Sequence, residues 1–207
     1  MQILSLSTGP IGTNTYFVYD EETKKGFIVD PGGYNKVLSD KIRELDLDLM
    51  YVILTHGHSD HIMGVNDYIK DFPDAKVVAA KAEAEMLEDI NFNMSYQFGM
   101  PTSLTADINV EDGDKMSVGN LELEFIMTPG HSPGGMCIYI ASENTLFSGD
   151  TLFYCSIGRT DFPGCSFQDL ADSVHNKLWP LPDETNVYPG HMGPTTIGFE
   201  KANNPFV

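Results

Sequence analysis

The heptapeptide Thr55-His-Gly-His-Ser-Asp-His61 follows directly on the apolar run Met50–Leu54. Three of the chain's 6 histidines fall in it, together with one aspartate. Polar and ionisable side chains packed this tightly beside a buried strand are costly unless something pairs with them. Alternate residues of an extended segment point the same way, so His56 and His58 can grip one ion. Asp60 and His61 lie past the turn and suit a second. Gly57 lacks a Cβ and lets the backbone bend between the ligands. A chain with this segment must fold so that a rigid strand end holds it.

Four ligands are too few for two ions, so other segments must contribute. Three further apolar strands end in a candidate ligand: Phe125-Ile-Met-Thr-Pro-Gly-His131, Leu146-Phe-Ser-Gly-Asp150 and Val187-Tyr-Pro-Gly-His191. Strand ends hold side chains with the precision that metal chemistry needs. The count then closes. His56, His58 and His131 serve ion one, and Asp60, His61 and His191 serve ion two. Asp150 bridges, its charge offsetting the repulsion between cations about 4 Å apart. Nitrogen and oxygen donors suit two divalent ions, zinc first, with iron or manganese as alternatives. The lack of thiolate speaks against a closed structural zinc site. His175 has no partner motif and is expected at the surface or core edge. Asp30, in Ile28-Val-Asp-Pro-Gly-Gly33, either caps a turn or stands behind a ligand histidine.

The rest of the chain alternates strands and helices. Strands are expected over Gln2–Ser7, Asn14–Tyr19, Lys25–Val29, Met50–Leu54, Lys76–Ala79, Ile108–Val110, Leu121–Met127, Met136–Ile140, Thr145–Ser148 and Asn186–Tyr188. Met50–Leu54 is apolar throughout and reads as buried on both faces. Helices are expected over Tyr34–Leu45, His61–Lys70, Lys81–Asp89 and Phe167–Leu178, with a Gly/Pro-rich tail at the end. Residues 90–107 mix aromatic and polar residues without a period. They read as a long loop of the kind that lies over a site, as lid or as interface. No linker divides the 207 residues, so one α/β domain with two packed sheets and outer helices is expected.

Composition excludes several partners. The chain carries 12 Lys+Arg against 30 Asp+Glu, a net charge of −18. Such a surface repels phosphate backbones and anionic lipid, so neither nucleic acid nor membrane is expected as a partner. The N-terminus has no basic region followed by an apolar stretch, and no run approaches the ~20 residues that span a bilayer. The odd count of 3 cysteines, Cys137, Cys155 and Cys165, without CxxC spacing points to free thiols and a cytoplasmic location, with a Cys155–Cys165 bridge as the alternative. Monomer and homodimer both fit.

THGHSDH, TPGHSPGG (Thr128–Gly135), SGDTLF (Ser148–Phe153) and YPGH (Tyr188–His191) together resemble the metallo-β-lactamase-fold hydrolases. GRTD (Gly158–Asp161) and TTIGFEKANNPF (Thr195–Phe206) resemble the short, single-domain glyoxalase II-like members more closely. The resemblance spans nearly the whole chain. It implies a four-layer αββα sandwich over residues 1–207, metals at one edge between the sheets, and the same ligand allotment that counting reaches. It also marks departures. Glyoxalase II enzymes carry a C-terminal helical domain that helps hold glutathione, and this chain stops at Val207. Of their glutathione contacts, Arg159 stands in for a basic residue, while Asp161 and Gly193 replace two tyrosines. GRTD and the NPF-type tail resemble the persulfide dioxygenases of the same fold as well, which use one iron at positions matching His56, His131 and Asp150.

The leading expectation is a metal-dependent hydrolase of a small thioester, such as a hydroxyacylglutathione. Asp60 would orient the attacking hydroxide, and a thiolate leaves without a strong general acid. Arg159 either binds a substrate carboxylate or forms a surface ion pair. Tyr154 is either pocket wall or packing aromatic. The alternative is a mononuclear iron-dependent persulfide dioxygenase. Lactam hydrolysis and RNA processing rank lower, and a non-catalytic domain should have lost ligands that are all present here.

Overall fold

A computed structural model describes residues 1–207. The first sheet holds β1 (Gln2–Thr8), β2 (Thr13–Tyr19), β3 (Lys25–Val29), β4 (Asp48–Leu54), β5 (Lys76–Ala80) and β6 (Ile108–Val110), in that spatial order. β1 to β3 form an antiparallel meander, and β3 to β6 run parallel. The second sheet holds β7 (Lys115–Val118), β8 (Leu121–Met127), β9 (Met136–Ile140) and β10 (Thr145–Gly149). After a small hairpin of β11 (Leu152–Phe153) and β12 (Ser156–Ile157), it is completed by β13 (Asn186–Pro189) and β14 (Thr195–Thr196). Its order is β14-β13-β10-β9-β8-β7, with β10 and β13 parallel.

Period-two alternation sorts the strands into layers. Tyr16 and Val18 of β2, Ile53 of β4 and Met136, Ile138 and Ile140 of β9 point into one core between the sheets. Their sequence neighbours point out. Phe17, Val52 and Leu54 meet the helices α1 (Lys36–Glu44), α2 (Ser59–Ile62), α3 (Val65–Asp71) and α4 (Ala84–Glu88) through Leu38, Ile42, Ile62, Val65 and Leu87. Cys137 and Tyr139 meet α5 (Phe167–Ser173) with its π-helical extension Val174–Leu178, and α6 (Ile197–Asn203), through Val174, Leu178 and Ile197. The result is the expected αββα sandwich. The inner core, Val52 and Leu54 are almost without exposure, so β4 is buried on both faces over its second half.

Several elements differ from their expected extents. The helix expected over His61–Lys70 is two, α2 and α3; between them the Gly64 N–H donates to the Pro31 carbonyl at 2.8 Å instead of to the preceding helical turn. Lys81–Asp89 begins as a 3₁₀ turn before α4. β7, β11 and β12 are too short to show a period. The Gly/Pro-rich tail carries two elements: Thr195–Thr196 pairs with β13, and α6 follows, capped by the Thr196 hydroxyl accepting from the Phe199 N–H. All three cysteines are free, so the Cys155–Cys165 bridge is absent. The Cys165 thiol instead donates to the His131 carbonyl at 2.7 Å. No helix is long and apolar enough to cross a membrane.

Candidate metal centre

The C-terminal ends of β4, β8, β10 and β13 converge at one edge of the sandwich. Backbone bonds tie the two sheets together there, Met136 N–H donating to the Thr55 carbonyl at 2.9 Å and Asn14 N–H to Gly190 at 2.8 Å, while within the second sheet Gly190 N–H donates to Gly149 at 2.8 Å. Tyr16 Oη adds a bond to the Pro189 carbonyl at 2.7 Å. The ligand loops thus hang from hydrogen-bonded frames.

All seven predicted ligands meet in this space. Ligand atoms of His56, His58 and His131 lie within 4.8 Å of one another, and so do those of Asp60, His61 and His191. His58 Nδ1 and His131 Nε2 are 2.9 Å apart. Asp150 stands between the triads. Its Oδ1 is 3.4 Å from His61 Nε2, and its Oδ2 is 3.5 Å from both His131 and His191 Nε2. Asp60 Oδ2 lies 3.2 Å from His191 Nε2 and 3.4 Å from His61 Nε2. Ligand atoms of Asp30, His56 and His61 form a third such group, so His56 and His61 stand where the two triads meet.

The donor set fits two cations. His56 Nε2, His61 Nε2 and Asp150 Oδ1 are buried and have no hydrogen-bond partner, which native interiors rarely tolerate. No lysine or arginine is paired with Asp30, Asp60 or Asp150. Burial first, then the neighbouring imidazoles, push His56 well below its ordinary range and His58 to about 3, so both are neutral and free to ligate. Burial also works against His61, but Asp60, Asp150 and Asp30 outweigh it and hold its pKa well above normal. Burial would raise Asp60 and Asp150, yet the facing imidazoles prevail and keep both below the usual carboxylate range. Each half of the site calls for positive charge.

The back of the site fixes the ligands. Asp30 takes the supporting role rather than a turn cap alone. Its Oδ2 accepts from the Thr55 hydroxyl at 2.6 Å and meets His61 Nδ1 at 2.9 Å, while Oδ1 accepts the Thr55 N–H at 2.7 Å. His131 Nδ1 donates to the Arg159 carbonyl at 2.8 Å, leaving Nε2 for the site. The Thr13 hydroxyl donates to Asp60 Oδ2 at 3.0 Å. Glu83 is fully buried and joins two ligand loops: Oε2 accepts from Gly57 N–H at 2.7 Å and Oε1 from Gly134 N–H at 2.5 Å. Sequence reasoning passes over Thr13 and Glu83. In Lys81-Ala-Glu-Ala-Glu-Met-Leu-Glu-Asp89 nothing marks Glu83 apart from its acidic neighbours.

The ligands open onto a cavity of about 490 Å³. Its walls include Ile11, Met94, Gln97, Phe98, Phe153, Phe162 and Met192. Of residues 90–107, Met94, Gln97 and Phe98 reach the cavity, on a loop anchored by buried Asn93, whose side chain donates to the Thr102 carbonyl at 2.9 Å, while Leu104 packs against the helix layer. Arg159 lines the cavity, but its guanidinium is paired twice with Asp161, at 2.9 and 2.8 Å, and rests on the Phe162 ring. Tyr154 is not in the cavity wall; it stacks on Phe199 with rings 12° apart. His175 is exposed beside Trp179, away from the centre.

Residues 8–191 match the model of the metallo-beta-lactamase superfamily. The chain belongs to that superfamily. A probable metallo-hydrolase of Bacillus subtilis, YqgX, is 36% identical over 98% of the chain and 95% of its own length. The hydroxyacylglutathione hydrolase GloC of Haemophilus influenzae is 34% identical over 94% of the chain and 92% of its own. Among solved structures, the B3 metallo-beta-lactamase BLEG-1 superposes with a TM-score of 0.92 at 38% identity, covering 99% of both chains. TTHA1623, in a di-iron-bound form, gives 0.86 at 30% identity over 99% of this chain and 100% of its own. ETHE1 from Myxococcus xanthus gives 0.80 at 32% over 99% of this chain and 84% of its own.

Proposed function

We propose that the chain is a binuclear metal-dependent thioesterase. The observation that carries the reading is the pairing of a complete double cradle with a cavity that contains no spare acid. Apart from the ligands, Arg159 is the one titratable side chain in the cavity wall, and a guanidinium does not give up its proton. A leaving group that must be protonated to depart finds no donor there. A thiolate departs unaided, so a thioester suits the site better than an amide or an alkyl ester.

His56, His58 and His131 would hold one ion, Asp60, His61 and His191 the other, with Asp150 between them. Ions held there would supply a water of lowered pKa, toward ~7, and a Lewis acid for a carbonyl. Asp60, 7% exposed and held by Thr13, presents a carboxylate to the cavity that orients the attacking water. Zinc is the first choice of metal, with iron or manganese as alternatives; the di-iron form of TTHA1623 supports two ions and gives iron weight. The hydroxyacylglutathione activity in GloC's name supports the reaction class.

The second reading is a mononuclear iron persulfide dioxygenase using His56, His131 and Asp150, and the likeness to ETHE1 favours it. The likeness to BLEG-1 raises lactam cleavage, against which stands the missing proton donor for an amine.

The test is anaerobic thiol release by zinc-loaded protein from S-lactoylglutathione and from an N-acetylcysteamine thioester, with His191→Ala alongside. Release from either ester, lost in the variant, supports the reading. No release, combined with oxygen uptake on a glutathione persulfide by iron-loaded protein, replaces it with the dioxygenase. Cleavage of a chromogenic cephalosporin alone replaces it with a lactamase.

A further inference from the structure

The mouth of the cavity is apolar where a charged substrate would need partners. Ile11, Phe98 and Met192 line it and are 54%, 41% and 58% exposed. They come from three separate segments: the turn between β1 and β2, the 90–107 loop and the turn after His191. Deeper in the same wall, Phe153 is 6% exposed and Met94 and Phe162 are partly covered. Large apolar side chains that converge in this way around one concave site, while open to water, mark a binding surface.

The electrostatics agree. Arg159, the lone cation of the wall, already has both its Nε and Nη2 committed to Asp161. An anionic tail meets there a guanidinium whose charge Asp161 already offsets. The net charge of −18 adds long-range repulsion of anions. An uncharged hydrocarbon arm meets neither obstacle and covers the exposed rim.

We propose, on the thioesterase reading, that the substrate is an uncharged thioester with an apolar arm of several carbons, bound along Ile11, Phe98 and Met192, rather than the ester of an anionic thiol. The reaction is RCO–SR′ + H₂O → RCOO⁻ + R′SH + H⁺. The C–S bond breaks as the C–O bond to water forms, sulfur leaves with the electron pair, and no oxidant is involved.

Two substrate series test the proposal. One lengthens the acyl chain of N-acetylcysteamine thioesters from acetyl to hexanoyl. The other lengthens the sulfur substituent of thioacetates from methyl to hexyl. Each methylene buried against the rim is worth on the order of a threefold gain. At least a tenfold rise in kcat/KM along one series is expected, with the long substrate exceeding S-lactoylglutathione. In the Ile11→Ser/Phe98→Ser double variant the long-to-short ratio should collapse toward one. Equilibrium binding of the uncleavable thioether S-hexyl-N-acetylcysteamine by calorimetry is the second readout. It should weaken at least tenfold in the double variant. Hydrolysis that is flat along both series, or that favours S-lactoylglutathione, overturns the proposal while leaving the thioesterase reading intact. Thioether binding without any thioester hydrolysis supports the apolar arm and removes the thioesterase instead.

Discussion

Glu83 offers the sharpest test of how the centre is held. It touches no predicted ligand, yet its carboxylate accepts from the amides of Gly57, between His56 and His58, and Gly134, three residues past His131. Both amides are buried, and Glu83 has no exposure. Burial pushes its pKa up, and the Ser132 hydroxyl and the two amides oppose the rise. Glu83→Ala leaves two buried N–H groups without acceptors, each costing about 1–3 kcal/mol, or about 2–6 kcal/mol together. Relief from burying a carboxylate offsets part of that. Against a domain stability of about 5–15 kcal/mol the loss is large but survivable. Glu83→Gln keeps one carbonyl acceptor and turns an NH₂ toward the other amide, so roughly half the loss is expected. Urea unfolding of metal-free protein reads this directly. Loosening both loops that carry ion-one ligands should also weaken that ion about 10–100-fold, read by chelator competition, while the Asp60/His61/His191 triad keeps its ion. An alanine variant within about 0.5 kcal/mol of the parent, with both affinities unchanged, refutes the reasoning.

Three further outcomes are expected. A Cβ at Gly190 would lie 2.6 Å from His61 Cε1 and closer still to Asp150 Oδ1, so Gly190→Ala should lower the metal content from two ions per chain to one, measured by mass spectrometry after dialysis; retention of both counts against the assigned second triad. Metal supplied at about a thousandfold above its Kd should raise stability by about 4 kcal/mol, and a melting temperature indifferent to chelation would contradict the reading of the orphaned histidine nitrogens. Asp71 accepts from Ser39 and Tyr34 and faces Arg43, and these hold its pKa at about 2 instead of 3.8. The depressed value means its contribution is full above about pH 4 and fades as pH falls toward 2; Asp71→Asn should flatten the acid limb of the stability curve in that window, and an unaltered limb would show the contacts to be idle.

Much of this protein was legible in one dimension because its chemistry sits at strand ends. A buried strand is a short apolar run, and the residue just past it cannot point anywhere but the sheet edge. Runs such as Met50–Leu54 and Leu121–Met127, each followed by a candidate ligand, therefore disclosed the strands and pointed to seven candidate donors, whereas which side chains of β2, β4 and β9 turn inward was decided by packing. Whatever depended on contact between distant segments was not legible. Glu83 looks like any surface glutamate until the 3₁₀ turn at Lys81–Glu83 carries it under two ligand loops. The role of Asp30 waited on His61 and Thr55 being folded against it. Short pairings such as β11 with β12, and the helix α6 in the Gly/Pro-rich tail, form because neighbouring structure supplies partners that local sequence cannot signal. The cavity shows the division most plainly: sequence marked residues 90–107 as a cover, but only tertiary structure brought Phe98 beside Ile11 and Met192, tied Arg159 to Asp161, and turned Tyr154 away onto Phe199. Ligand sets repeat a local pattern that a strand end enforces, whereas a binding wall is assembled from loops whose approach is decided by the packing of the whole sandwich.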